Sequence, residues 1–223
     1  MFRARPKETD VKHFVDLRRY LLTKKHPVSY TDLSTDLPCA LKLQESGVKF
    51  TCIRGQGLLD IKFPKERLRI PCLKVNKELP IPNFKVMDGT ECLIRNVMAL
   101  EQCHYPSETL VCNYIILMDH LINTEEDVEL LVEAGIISNH IGENARIAKM
   151  FNELCLQINI NSSCYSDIVN DLNEHYGNRC NHSMATLKKV YFSNCWRGTA
   201  TSAAIVILFL TFIGTVCSIL QVV

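Results

Sequence analysis

Residues 110–122 read LVCNYIILMDHLI, and this stretch does most to set the expected fold. Among its first nine positions only Asn113 is strongly polar, so the segment is apolar nearly all round. It is long for a strand, and a helix that is apolar on every side is normally buried at the centre of its domain. The sequence therefore predicts a central buried helix with other helices packed around it.

Further helices are predicted on both sides of this segment, because apolar residues recur three and four positions apart. Thr124 followed by three acidic residues is typical of a helix N-cap and first turn, and Gly135 marks a helix stop. Asp88 with Glu91 resembles a capping box. The predicted helices are 10–22, 37–45, 88–105, 124–134, 147–158 and 163–176, the last continuing toward residue 197.

The pattern changes between residues 48 and 75, where apolar residues alternate or β-rich runs appear between turn signals. The β-rich segments are Val48–Ile53, Leu58–Phe63 and Arg67–Ile70. Gly55 and Gly57 lie between the first two, but no helix follows them, so they indicate a turn rather than a nucleotide-binding loop. The expected fold class is mainly α with a small antiparallel β meander at about residues 48–75.

Residues 199–223 contain no Asp, Glu, Lys, Arg or His. As a helix they would be about 37 Å long, against a bilayer hydrocarbon core of roughly 30 Å. The sequence therefore predicts a single C-terminal transmembrane helix at 199–223 attached to an α-rich body at 1–198. The alternative is a buried C-terminal helix of a soluble protein.

The residues beside this tail predict an orientation in the membrane. Lys188, Lys189 and Arg197 precede the tail, and Met1 to Lys25 lacks the apolar segment of a signal peptide. The positive-inside rule then predicts a tail-anchored, single-pass membrane protein whose body lies in the cytosol. The pattern does not distinguish the plasma membrane from an endomembrane.

The charge balance limits the expected partners. The chain has 25 Lys+Arg and 24 Asp+Glu, a net charge of +1, which is not the basic excess of a nucleic-acid binder. The charge is nevertheless segregated, with +8 over residues 1–75, −11 over 76–175 and +4 over 176–198. The two halves neutralise each other internally, or the acidic region 76–175 binds a basic protein partner. The expected partners are thus the lipid bilayer through residues 199–223 and an unknown protein, with no nucleic acid.

The eleven cysteines are scattered and include no C-x-x-C pair, so the strong zinc spacings are missing. Cys112 and Cys155 lie in apolar stretches, where cysteine acts as a small hydrophobic residue. The expectation is reduced cytosolic thiols. The alternative, a luminal body with disulfides, rests on the glycosylation-type triplets that begin at Asn161 and Asn181.

No familiar catalytic motif is present: there is no P-loop, no H-E-x-x-H, no G-x-S-x-G and no EF-hand loop. No catalytic, cofactor-binding or metal-binding residue is therefore assigned, and the expected function is non-enzymatic. The best remaining constellation is Glu101-Gln102-Cys103-His104 at a helix end. Glu101 and His104, three residues apart, could share a face and bind a metal or move protons. In the alternative, His104 is hydrogen-bonded locally and Cys103 is packed.

Two other groups of residues are weaker candidates for a functional site. Asp119 and His120 are adjacent, so they point to different helix faces and do not form a dyad. His175, Cys180 and His182 supply metal-binding side chains, but their spacing fits no familiar zinc site.

A series of landmarks in the chain resembles the C-terminal region of the plant DUF247 family, also called UPF0481. The resemblance covers residues from about 45 to the end, roughly four-fifths of the chain. The matching stretches are 45–50, 58–63, 99–105, 118–124, 127–131, 191–194 and the terminal apolar tail.

The resemblance implies a C-terminal membrane segment. It also implies a role in interaction or signalling, because the family has no established enzyme activity and some grass members are associated with self-incompatibility. Family members are usually longer at the front, so this chain is expected to be a truncated member or a partial gene product. A truncated, non-functional protein and a thiol- or metal-dependent enzyme using Cys103 and His104 are the alternatives.

Overall fold

The computed structural model is mainly helical with short strands. It describes residues 11, 13–23, 30–32, 36–53, 57–59, 61, 77–156, 158, 160, 162–177, 207–208 and 210–215. The chain divides into two compact units, Met1–Asn178 and Arg179–Val223. Every element labelled below belongs to the first unit.

Seven helices are found among the described residues of this unit. They are α1 (Phe14–Thr23), α2 (Ala40–Glu45), α3 (Thr90–His104), α4 (Leu110–Leu121), α5 (Glu125–Glu133), α6 (Asn144–Cys155) and α7 (Ser166–Gly177). Each corresponds to a helix predicted from the apolar periodicity. The predicted continuation of the last helix toward residue 197 lies outside the described residues.

Helix α4 lies at the centre of the core, as its sequence predicts. Nine of its twelve residues are buried, including Cys112, Tyr114 and Met118. It packs against α1, α3 and α6. Because α4 has almost no solvent-facing side, its neighbours must supply apolar side chains around its whole circumference.

The ends of α5 also follow local signals. The backbone N–H of Thr124 donates to Oδ2 of Asp127 at 3.0 Å, which completes a capping box. Gly135 ends the turn with φ +73°, a left-handed conformation that glycine adopts without steric penalty. At the start of α3 the N-cap is Gly89 rather than Asp88.

The predicted antiparallel meander is wrong in its pairing. Strand β2 (Val48–Ile53) has the predicted bounds, but it pairs in parallel with β3 (Lys77–Pro82), from Val48↔Lys77 to Ile53↔Pro82. Leu58 and Leu59 lie in a turn and Ile61 has no regular structure. Residues 60 and 62–70 of the other predicted strands lie outside the described residues. Parallel neighbouring strands need a connection of a dozen or more residues, and residues 54–76 connect β2 to β3.

The remaining strands are short. Strand β4 (Phe84–Val86) pairs in parallel with β5 (Ile137–Asn139), which places the segment before α3 beside the segment after α5. The two-residue strands β1 (Thr31–Asp32) and β6 (Ser162–Ser163) pair antiparallel. Each pair joins distant parts of the chain and so closes the helical body.

The predicted transmembrane helix at 199–223 is contradicted. Within the described part of the chain, no helix is both long and apolar enough to cross a membrane. The helical residues described in this tail are 207–208 and 210–215. Among the described residues, the fold class is mainly helical with small strands.

Candidate functional site

The end of α3 separates the residues that the sequence grouped into one candidate site. Glu101 is completely buried, whereas Cys103 and His104 are exposed. The shared face expected for Glu101 and His104 is therefore not formed. The carboxylate of Glu101 instead forms its hydrogen bonds inside the protein.

Glu101 caps helix α4 from within the core. Its Oε2 accepts hydrogen bonds from the backbone N–H groups of Val111 at 2.9 Å and Cys112 at 3.0 Å. These N–H groups have no partner within the first turn of α4, and a negative charge is favourable there. Its other oxygen, Oε1, accepts from Nε of Arg19 at 3.1 Å.

Arg19 completes this buried cluster. Its guanidinium donates to the backbone oxygen of Glu108 at 2.7 Å and lies 4.0 Å from the centroid of the Tyr105 ring. The Tyr105 hydroxyl in turn donates to Oδ1 of Asp16 at 3.0 Å. We call Asp16, Arg19, Glu101 and Tyr105 the α1 clasp, because they join α1 to the end of α3 and the start of α4.

Burial dominates the electrostatics of the clasp. It raises the pKa of Glu101 above its usual value, although Arg19 and the N–H groups of Val111 and Cys112 act in the opposite direction. The charged carboxylate is costly to desolvate, so the neighbouring guanidinium and helix N-terminus are required to hold it. The clasp is thus a structural site that fixes where α1 lies.

The clasp gives α1 an unusual orientation. Arg19 is only 3% exposed, while Phe14, Leu17 and Leu21 are 61%, 38% and 55% exposed. Arg18 lies on the same outer side, with its guanidinium 5.3 Å from the centroid of the Phe14 ring. We call Phe14, Leu17, Arg18 and Leu21 the α1 outer face. The sequence predicted the helix and its apolar stripe, but not that much of the stripe faces outward.

A second buried carboxylate, that of Asp127, caps two other helices. Asp127 is completely buried, and its Oδ1 accepts from the N–H of Leu41 at 3.0 Å, in the first turn of α2. Its Oδ2 accepts from the N–H groups of Asn123 at 3.1 Å and Thr124 at 3.0 Å. One carboxylate therefore caps both α2 and α5.

The acidic residues on the outside of α5 have no such role. Glu125, Glu129 and Glu133 recur every four residues and are all exposed. In the described part of the chain, no salt bridge joins any of the three to a basic group. We call these three residues the α5 acidic row.

Among the described residues, no salt bridge joins Asp119 to His120. Burial raises the pKa of Asp119 and lowers the pKa of His120, which favours the neutral form of each. The interaction with Cys155 on α6 acts against this rise in the pKa of Asp119. Nδ1 of His120 is buried without a hydrogen-bond partner in the described structure.

The third candidate group is only partly described. His175 is buried, with Nε2 at 3.1 Å from the backbone oxygen of Ser46, while Cys180 and His182 lie outside the described residues. Among the residues that the structure covers, no three His, Cys, Asp or Glu side chains are grouped to hold a metal ion.

The cysteines that the structure describes are free thiols. Cys112 is completely buried, as expected for a small hydrophobic residue, and burial raises its pKa well above the usual range. Cys155 packs against the core and is similarly shifted by burial. Thiols in such surroundings are protonated and unreactive.

Sequence reasoning missed the roles of Asp16 and Arg19. A signal was present, because Arg19 lies four residues after Val15 and three before Leu22, both of which pack against the core. A charged residue at the centre of an inward stripe indicates a buried partner. The identity of that partner, 82 residues away in Glu101, is not visible from local spacing.

Comparison with known proteins agrees with the resemblance of the landmarks. The DUF247 family model, described as a plant protein of unknown function, matches residues 2–210 and so includes the segment before residue 45. A putative UPF0481 protein of Arabidopsis thaliana is 24% identical over 196 residues, or 84% of this chain and 35% of the relative. This chain thus spans about a third of that relative's length. No solved structure is significantly similar to it. Because the family model matches most of its length, the chain belongs to the DUF247 family.

Proposed function

We propose that this chain is a non-enzymatic interaction protein that binds a basic segment of a partner protein through the α5 acidic row. The observation that carries the proposal is the repetition of Glu125, Glu129 and Glu133 on the exposed side of one helix. Cell recognition or signalling is the setting that the family resemblance suggests for such binding.

The acidic row is unfavourable for α5 itself. Like charges four residues apart destabilise a helix by about 0.2–0.5 kcal/mol per pair, and the row contains two such pairs. Glu133 is also the last residue of α5, where the helix dipole disfavours a negative charge. Only Glu125 lies in the first turn, where the dipole explains it. A row that weakens its own helix is better explained by binding.

The buried carboxylates have structural roles that the α5 acidic row lacks. Glu101 and Asp127 each accept several hydrogen bonds and are completely buried, so their charges have structural roles. The acidic row accounts for part of the −11 charge of residues 76–175 without such a role. A basic partner would remove the repulsion within the row and be steered toward it over long range.

The engagement of Glu101 also supports the non-enzymatic part of the proposal. An enzyme centred on Cys103 and His104 would need a third group to orient or activate them. The nearest acidic side chain in sequence is already bonded to Arg19 and to the start of α4. The proposal therefore places the function in binding rather than in catalysis.

The test measures binding of a synthetic Lys/Arg-rich peptide to the full chain, with and without the substitutions Glu125→Gln, Glu129→Gln and Glu133→Gln. We expect the triple variant to bind at least about tenfold more weakly and to lose most of the salt dependence of binding. It should also be slightly more resistant to urea, because the like-charge pairs are removed.

A matched control removes three other exposed charges by Glu45→Gln, Asp88→Asn and Glu143→Gln. It changes the net charge equally but leaves α5 intact, so we expect nearly unchanged binding. Equal weakening in both triple variants would show that the peptide responds only to net charge, and the proposal would then be wrong.

A further inference from the structure

We propose that the α1 outer face is a docking surface for an amphipathic helix of a partner protein, one that presents apolar residues with a carboxylate among them. This surface is separate from the α5 acidic row and has the opposite charge. The inference therefore stands or falls independently of the function proposed above.

The first support is the arrangement of the side chains. Phe14, Leu17, Arg18 and Leu21 occupy positions i, i+3, i+4 and i+7, so they form one stripe along two turns of α1. The stripe is about 10 Å long at 1.5 Å per residue. This is the spacing by which one helix packs along another.

The second support is the way in which α1 is mounted. A marginal ten-residue helix would not hold its shape in water, but the α1 clasp ties its inner side to α3 and α4. The outer face is therefore held ready before any partner arrives. Such preorganisation lowers the entropic penalty of binding.

The third support is the charge at the centre of the stripe. In the part of the chain that the structure describes, no salt bridge pairs Arg18 with a carboxylate. In the sequence, Lys12 precedes α1, and Lys24 and Lys25 follow it. A guanidinium covered by a partner must be paired, so the partner has to bring an Asp or Glu opposite Arg18.

The same charge argues against two other occupants. In a symmetric pair of α1 helices, each copy would present the same positive side, which is repulsive. A bilayer surface that received Phe14 and Leu21 would also draw Arg18 below the headgroups, because Arg18 lies between them. An acidic amphipathic helix satisfies both the apolar residues and the arginine.

The experiment uses the full chain and three synthetic peptides. The first peptide is an amphipathic helix with Leu at i, i+3, i+4 and i+7 and Glu residues along the apolar face. The second has Lys in place of each Glu, and the third has the first composition in scrambled order. Binding is followed by fluorescence anisotropy, alongside anionic vesicles and a sedimentation measurement of self-association.

We expect the acidic peptide to bind and the other two to bind at least about tenfold more weakly. The double substitution Phe14→Ser and Leu21→Ser should weaken the acidic peptide by about tenfold or more without lowering the urea midpoint, since both side chains are more than half exposed. The charge reversal Arg18→Glu should transfer preference from the acidic to the Lys-containing peptide. That change of preference distinguishes charge pairing at Arg18 from non-specific hydrophobic binding.

The matched control is the double substitution Met87→Ser and Leu156→Ser, which removes two exposed apolar side chains elsewhere, 56% and 80% exposed. It should leave binding unchanged. The proposal is overturned if the acidic peptide fails to bind, or if the control weakens it as much as the α1 variant does. The proposal is also overturned if the wild-type chain binds the vesicles, or associates with itself, and the Phe14→Ser and Leu21→Ser variant does not. Either result would assign the face to a membrane or to a second copy.

Discussion

Nε of Arg19 lies 3.1 Å from Oε1 of Glu101, and the two side chains are 4% and 0% exposed. A buried ion pair of this kind is held in place by its surroundings, because the attraction between the charges must offset the loss of hydration of both. Here the backbone oxygen of Glu108 and the N-terminus of α4 provide the remaining hydrogen bonds. The pair joins α1 to the core.

Removing one member of this pair is expected to destabilise the fold strongly. Arg19→Met leaves Glu101 buried without its counter-charge, and such changes lower the free energy of unfolding by about 3–5 kcal/mol. Urea unfolding measures the difference. The exposed neighbour is the control, since Arg18→Met should change stability by less than about 0.5 kcal/mol. Equal effects of the two substitutions would contradict the buried pairing.

Glu101 also predicts a pH dependence. Its pKa is raised in the folded protein, so the folded protein binds a proton at Glu101 more readily than the unfolded chain does. The stabilisation by protonated Glu101 is complete below the ordinary pKa of 4.5 and is lost as the pH rises through the raised value. The difference in unfolding free energy between wild type and Glu101→Gln should therefore fall as the pH rises above 4.5. A difference that is constant across this range would show that the carboxyl is not perturbed.

Asp127 is predicted to support two helices at once. Asp127→Ala removes the caps of α2 and α5, and the loss of one cap costs about 0.5–2 kcal/mol. We expect a total loss of about 2 kcal/mol or more in urea unfolding. Glu126→Ala, at an exposed neighbouring position, should change stability much less. Circular dichroism would report any loss of helix content in the same samples.

Gly135 is predicted to be required for its conformation rather than for space. Its φ is +73°, whereas the nearest atom to an added Cβ is Cβ of Cys52 at 3.6 Å, an ordinary contact. Gly135→Ala should thus cost about 1–2 kcal/mol through backbone strain. Gly177→Ala, at the end of α7, where φ is not positive and an added Cβ meets nothing within 4 Å, should be nearly neutral. A comparable loss in both variants would exclude the backbone explanation.

The parts of the fold that depend on neighbouring residues were predictable. The apolar run around Tyr114 indicated a central buried helix, and Thr124, Asp127 and Gly135 indicated where α5 begins and ends. Helix formation is decided within a few turns by periodicity, caps and glycine, so these signals are present in any short window of the sequence.

Strand pairing could not be predicted in the same way. Strand β3 contains Pro80 and Pro82, and proline argues against a strand when only the local sequence is considered. In the described structure β3 pairs on one side only, with β2, so a missing N–H is tolerated on its other side. The alternation of Val48–Ile53 predicts a strand, but no local pattern predicts that its partner is Lys77–Pro82.

The prediction for the apolar tail rests on its composition. Residues 199–223 have the composition of a membrane span, yet none of the described helices is long and apolar enough to be one.

The sequence by itself determined the seven described helices, the buried position of α4 and the family, because these depend on local periodicity and on ordered landmarks. Only the tertiary structure decided that Glu101 faces Arg19 rather than His104 and that Phe14 and Leu21 face outward. The physical reason is that burial of a side chain depends on which distant segment covers it. The partners Arg19 and Glu101 are 82 residues apart, beyond the reach of any local pattern.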